Sequence, residues 1–223
     1  MFTGIIEAIG EIVRITKSSS GTLRLEISTA LASELQIGDS LANNGVCLTV
    51  VAQKPGAVEF DLLGETAART NLSELEVGSL INLERPMLAA SRFDGHIVQG
   101  HVDTTAVAVA VEALGQDHRI EIALPDAFER YIVFKGSVAV NGISLTVAEV
   151  RARSFVVWII PHTWDRTNLR CLAPGNRVNL EFDVVAKYVE RMLQASGALR
   201  DPGREALAPS AGVWPISKPF SAI

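Results

Sequence analysis

Seven residues of this chain occur twice, and that duplication limits the fold more than any other feature. Asn44-Gly45-Val46-Cys47-Leu48-Thr49-Val50 returns 97 residues later as Asn141-Gly142-Ile143-Ser144-Leu145-Thr146-Val147. The offset holds without a gap from Ser40/Ser137 to Glu84/Glu181, and 17 of the 45 paired positions are identical. Self-similarity at one fixed offset means one folding unit used twice. The 223 residues therefore read as two domains, each large enough to bury a core of its own.

Composition narrows the function classes. With 48% hydrophobic and 20% charged residues the chain is globular. A net charge of −5 without a basic run argues against nucleic acid as a partner. Cys47 and Cys171 occupy non-equivalent repeat positions and form no CxxC, which suits a reducing compartment better than a disulfide scaffold. Four scattered histidines give no metal-ligand spacing, so no metal is expected. The opening Met1-Phe2-Thr3-Gly4-Ile5-Ile6-Glu7 lacks the basic start of a signal peptide, and no apolar run approaches a membrane span. A soluble cytoplasmic protein is expected, without a membrane partner.

Within the first unit, residues 5–15, 23–27, 40–52, 57–63 and 79–84 are rich in β-branched or alternating apolar positions and predict strands. Residues 18–21 predict a turn, and 30–35 and 65–72 short helical turns. The second unit repeats this with strands at 104–111, 119–124, 136–150, 154–160 and 177–183, and His118 falls in an exposed turn. About six short strands per unit leave open edges, which closure removes. The expected fold is all-β: two tandem, similar, six-stranded antiparallel barrels, 1–90 and 91–183. Residues 184–196 carry Val185, Val189, Met192 and Leu193 at helical spacing and predict an amphipathic helix. Residues 197–223 read as an extended tail in which Trp214 and Phe220 are candidate docking residues.

Several of these segments together resemble the riboflavin synthase family of α-subunit type, the lumazine-binding double-barrel proteins. The resemblance spans Met1 to about Leu193. It rests on the opening heptapeptide, the two copies of the repeat motif, Phe60-Asp61 with Glu65-Thr66, and Gly95-His96 with Gly100-His101-Val102-Asp103. Ile160-Pro161-His162-Thr163 and Ala186-Lys187-Tyr188-Val189-Glu190-Arg191 complete it. The chain departs from the family at Asp94, where Gly is common, at Gln99, where Ser is, and at Trp164, where Leu is.

The resemblance implies Greek-key topology and one molecule of 6,7-dimethyl-8-ribityllumazine per barrel. Two of these dismutate by transfer of a four-carbon unit, giving riboflavin and 5-amino-6-ribitylaminouracil without an added cofactor. It implies a homotrimer held by the 184–196 helix, active sites between subunits, and lumazine synthase as a candidate further partner. It places substrate at Gly4, Ile5, Ile6, Cys47, Leu48, Thr49, Asp61, Leu62, Leu63, Gly64, Glu65 and Thr66 in the first unit. In the second it places substrate at Gly100, His101, Val102, Lys135, Ser144, Leu145, Thr146, Trp158, Ile159, Ile160, Pro161, His162 and Thr163.

The reaction needs a base to take a proton from the acidic C7 methyl of one lumazine, and transient addition of a nucleophile to the other. The chemistry is expected where the copies disagree: Cys47 against Ser144, and Ile5 against His101. Cys47 is the candidate nucleophile and His101 a candidate proton carrier. Asp183 is either a carboxylate near the reaction centre or a cap for the helix that follows. Phe2 and Thr3 complete the catalytic set, as residues folding over the site. A binding protein that keeps the barrels without catalysis is the competing reading. A reductase-type flavin barrel is disfavoured, since no Gly-rich nucleotide-binding turn follows.

Overall fold

The structure, a computed structural model, describes residues 1–17 and 22–198. The turn expected at 18–21, and the tail from 199 with Trp214 and Phe220, lie outside the described residues. Six strands close the first barrel: β1 (Ala8–Lys17), β2 (Leu23–Ser28), β3 (Ser40–Asn43), β4 (Val46–Lys54), β5 (Ala57–Leu62) and β6 (Leu80–Glu84). The second contains β7 (Thr104–Leu114), β8 (Asp117–Ala123), β9 (Ser137–Val140), β10 (Ile143–Val150), β11 (Ser154–Ile159) and β12 (Arg177–Phe182). Around the first barrel the order is β1-β2-β5-β4-β3-β6, and the second follows the same Greek-key path. Both barrels are antiparallel throughout, as the repeat implied.

Residues 40–52 and 136–150 each read as one strand in the sequence, but each folds as a hairpin. Asn44 and Gly45 have φ of 47° and 78°, and Asn141 and Gly142 have 46° and 79°. Two consecutive positive φ values make the two-residue turn that matches strand twist, and Asn-Gly is the pair that adopts it most readily. That turn supplies the sixth strand of each barrel.

Alternation along the strands fills the barrel interiors. Leu25, Ile27, Leu41, Leu48, Val58, Phe60, Leu62 and Leu83 converge in the first, and Ile120, Ile122, Leu145, Phe155, Ile159 and Leu180 in the second. Burying each large side chain contributes roughly 1.5–3 kcal/mol. Register shifts occur at Ile12/Arg14 and Val50/Ala52, and again at Ala108/Ala110 and Val147/Glu149. The extra residue at each bends its strand, which helps a short strand wrap a narrow barrel.

The two barrels are joined by asparagines. Asn71 N–H donates to Asn179 Oδ1 and Asn168 N–H to Asn82 Oδ1, both at 2.7 Å. Asn82 Nδ2 donates to the Asn141 carbonyl and Asn179 Nδ2 to the Asn44 carbonyl. All six belong to identical repeat pairs. The Asn-Gly of the repeat motif thus forms part of the contact between the barrels.

Residues Met1–Lys187 form one compact unit and Tyr188–Ile223 a second. Helix α3 (Val184–Ala195) begins in the first. Asp183 Oδ1 accepts the Val185 N–H at 2.9 Å, so the capping role considered for Asp183 is realised. In the second unit the helix carries Val189, Met192 and Leu193 on one stripe and Glu190, Arg191 and Gln194 on another.

Candidate functional site

Each repeat places its variable residue on the outer wall of a barrel. On β4 the side chain of Leu48 enters the core while half-buried Cys47 and exposed Thr49 point outward. On β10 Leu145 is inward, with Ser144 and Thr146 outward. Strand period two explains both sets. The side chains of Leu48, Leu62, Leu145 and Ile159 therefore fill barrel cores, leaving their backbones for a ligand. Leu63, Trp158 and Ile160 face out as apolar wall.

The wall of each cleft is completed by a segment exchanged between the barrels. Ser144 N–H donates to the Gly4 carbonyl at 2.8 Å, and Cys47 N–H to the Gly100 carbonyl at 2.9 Å. The first barrel's amino-terminal approach thus lies on the second barrel's β10, and the second's approach lies on β4. The sequence assigned residues 5–7 to the first strand; they instead precede β1 as part of this crossing. Gly4 and Gly100 have φ of 79° and 81°, and a Cβ at either would sit 2.6 Å from that of Ser144 or Cys47. No other residue allows that approach.

Two buried glutamates hold the crossing. Glu84 accepts from Thr3 N–H at 2.6 Å, Thr3 Oγ1–H at 2.8 Å and Gly4 N–H at 2.9 Å. Glu181 accepts from the N–H groups of Gln99, Gly100 and His101 at 2.6, 3.0 and 3.0 Å. Burial pushes both carboxyl pKa values up, while these hydrogen bonds pull them down. The sequence reading did not select either glutamate, although the repeated Asn-Leu-Glu marked both. Gln99, which lacks a hydroxyl, leaves Glu181 to take His101 N–H as its third donor. Phe2 is fully buried beside Cys47, Ala42 and Ala139, and pairs by backbone with Val98, its own repeat equivalent. Thr3 is anchored rather than frayed.

The first cleft, about 240 Å³, gathers Cys47, Glu65, Thr66, Gly100, His101 and Val102, six residues that the sequence had selected. Arg69 joins them, paired with Glu65 at 3.2 Å across helix α1 (Gly64–Arg69). The second, about 340 Å³, lies between Ile6–Ile9 and helix α2 (Pro161–Arg166), and includes His162, Asp165, Arg166 and Arg170. Of the other predicted residues, Asp61 is held by a bidentate pair with Arg24 at 2.7 and 2.8 Å, which lowers its pKa. Lys135 has φ 64° in the loop before β9, where the first repeat has Gly38 at 97°. A lysine kept in a left-handed conformation is strained backbone of the kind found at functional sites.

His96 was left out of the predicted set, yet its Nδ1 lies 2.6 Å from Ser144 Oγ. It is 7% exposed and its Nε2 has no partner among the described residues. Burial lowers its pKa, against the opposing charge of Asp183. The ring is therefore neutral near pH 7 and able to accept a proton. The Gly95-His96 motif carried the signal; the partner Ser144 was visible only once folded. His118, expected in an exposed turn, lies instead on β8, stacked on Trp164 at 3.6 Å and 3°. These two rings replace Leu23 and Ala67 of the first repeat.

A family model described as lumazine binding domain matches residues 3–86 and again 99–183. A riboflavin synthase of Mycobacterium tuberculosis is 47% identical over 204 residues, covering 88% of this chain and all of that one. A riboflavin synthase of Photobacterium phosphoreum is 44% identical over 194 residues, 86% of this chain and 89% of its own. Among solved structures, LumP complexed with 6,7-dimethyl-8-(1'-D-ribityl) lumazine superposes with a TM-score of 0.75 at 26% identity, covering 82% of this chain and 99% of that one.

Proposed function

The chain belongs to the lumazine-binding family that includes the riboflavin synthases, and on that premise we propose that it is itself a riboflavin synthase. It converts two molecules of 6,7-dimethyl-8-ribityllumazine into riboflavin and 5-amino-6-ribitylaminouracil. One observation carries the reading beyond binding: the same outward strand position, built twice, carries different reactive groups. Cys47 and His101 line one cleft, and at the repeat position of Cys47 the second barrel has Ser144, whose Oγ meets His96.

The reaction requires that difference, because two identical substrates must become donor and acceptor. Neutral His96 accepts a proton through Ser144, whose Oγ lies 2.6 Å from Nδ1. That suits removal of the C7 methyl proton of one lumazine. Cys47, half-buried beside His101, supplies the nucleophile for transient addition to the other. Thr49, Thr146 and the backbone at Thr66 and Thr163 offer hydroxyl and amide partners to ribityl and pyrimidine edges, while Leu63, Ile160 and Ile5 offer apolar wall. The product ring takes its extra four carbons from the donor, with no net oxidation.

The working form is a homotrimer assembled through α3, in the cytoplasm, with lumazine synthase as a further partner. The apolar stripe of the helix supports the assembly, and no helix among the described residues is long and apolar enough to cross a membrane. Incubating purified protein with the lumazine and following riboflavin fluorescence tests the activity. Tight binding without riboflavin would establish the binding-protein reading instead. Deleting residues from Val184 onward should give monomers with little turnover; a truncated chain that remains trimeric rules out α3 as the assembly element.

A further inference from the structure

The two crossed segments each end on a carboxylate, Glu7 in one and Asp103 in the other. Their backbones are placed alike: Glu7 N–H donates to the Leu83 carbonyl at 3.0 Å, and Asp103 N–H to the Leu180 carbonyl at 2.9 Å. Their side chains are placed alike as well. Glu7 accepts the Arg85 N–H at 3.2 Å, and Asp103 accepts the N–H of Phe182, the repeat partner of Arg85, at 2.9 Å. The cations differ in origin. Glu7 is paired by the side chain of Arg85 itself at 2.7 Å, and Arg85 also reaches Glu34 at 2.8 Å. Phe182 instead places its side chain in the barrel core, stacked on Phe128 at 5.0 Å. The charge for Asp103 comes from the first turn of α3, where Lys187 Nζ lies 2.6 Å from Oδ2. The two side chains are 26% and 20% exposed, so solvent and salt screen the pair less than a surface one.

This one contact touches both sides of the candidate chemistry. Asp103 closes the segment Gly100-His101-Val102-Asp103, which puts His101 in the cleft with Cys47. Through the Phe182 N–H it also holds the residue before Asp183, while the Asp183 side chain is fixed from the other side by the Val185 N–H. The charge of Asp183 in turn acts on His96. Lys187 also opposes, by its charge, the upward push of burial on the Glu181 carboxyl that takes the His101 N–H.

We propose that Lys187 is a positioning residue for the reaction: its pair with Asp103 sets the pose of His101 on one side and of Asp183 on the other. The inference rests on the riboflavin synthase reading for the reaction, and on the comparison of Glu7 with Asp103 for the clamp. A cation supplied by α3 ties this geometry to the seat of the helix, a dependence that Arg85 spares the first barrel.

Lys187→Met and Lys187→Arg in the full-length protein test this. Lys187→Met should lower kcat by about tenfold or more, as expected when reacting groups are slightly displaced, with KM for the lumazine changed by less than about twofold. Lys187→Arg, which keeps the charge, should restore turnover to within about threefold. Amide hydrogen exchange without substrate is the second arm. Lys187→Met should speed exchange across residues 99–103 by about threefold or more and leave residues 2–7 unchanged. Unchanged kcat in Lys187→Met, or a loss that Lys187→Arg shares in full, overturns the positioning role. Unchanged exchange at 99–103, or equal acceleration throughout both barrels, overturns the clamp. If the unaltered protein forms no riboflavin, the synthase reading falls, and the exchange arm still decides the clamp.

Discussion

The first and second barrels share one strand order, and at matched positions they differ in side-chain chemistry. Cys47 against Ser144, His101 against Ile5, Glu65 against His162 and Gly38 against Lys135 are exchanges on an unchanged frame. What stays constant is equally instructive. The asparagine network, the glutamates at 84 and 181, and the glycines at 4 and 100 hold the barrels and their crossed segments together. The duplicated frame keeps its geometry, and the exchanges fall on side chains outside it.

The comparison can be broken most severely at its reactive pair. His96→Ala should lower kcat by roughly 10²-fold or more, the usual range for a lost acid–base group, with lumazine affinity little changed. In the unaltered protein, burial depresses the His96 pKa below its ordinary value of 6.5. Neutral imidazole therefore persists below pH 6.5, so turnover is lost only as pH falls through the lower folded value, while this group's contribution to stability declines from pH 6.5, where the unfolded chain begins to bind the proton, down to that folded value. A pH–rate profile whose acid limb lies below 6.5 and disappears in His96→Ala supports the assignment; an unchanged limb refutes it. Cys47→Ser gives β4 the hydroxyl that β10 carries at Ser144. Turnover should fall by about tenfold or more while lumazine titrations still fill both sites; full activity would remove Cys47 from the chemistry.

Smaller effects probe the shared frame. Asn82 makes three inter-barrel hydrogen bonds, through Nδ2 to Asn141 and Asn168 and through Oδ1 from Asn168 N–H, whereas Asn179 makes two. Asn82→Ala should therefore destabilise by roughly 3 kcal/mol and Asn179→Ala by roughly 2 kcal/mol in chemical denaturation, since each strands buried backbone groups. Equal and negligible losses would show that the clasp contributes little. Smallest is Lys135→Gly, which makes the second loop like the first. Relief of the left-handed lysine should raise stability by about 0.5–1 kcal/mol while weakening lumazine at that barrel. A gain in stability without loss of binding would separate the strain from function.

Much of this was legible before folding. The repeat gave one unit used twice, strand alternation gave the barrels, and Cys47 and Ser144 fall at matched outward positions of β4 and β10. Most of what escaped depended on contacts between distant residues. Asn44-Gly45 signalled a turn, but the four residues before it, Ser40–Asn43, were too short a run to be told from β4 as a strand of their own. A period-two pattern does not place His96 beside Ser144, 48 residues away, or His118 under Trp164. The exchanged segments left no local signal at all, since Gly4 and Gly100 look like ordinary turn glycines until their partners across the barrels are known.

That exchange also orders events in time. Residues 2–6 are synthesised before the barrel they complete, and residues 98–102 finish the cleft of a barrel whose strands are already made. The second cleft cannot mature while the chain is half-built, and the approach to the first still lacks its anchor Glu181. The amino-terminal segment must wait for β10, about 140 residues later, before its partner exists. Folding should therefore close on a slow, long-range docking step that the barrels themselves do not require. Ligand-binding competence is then a late acquisition, gained once the two halves have found each other.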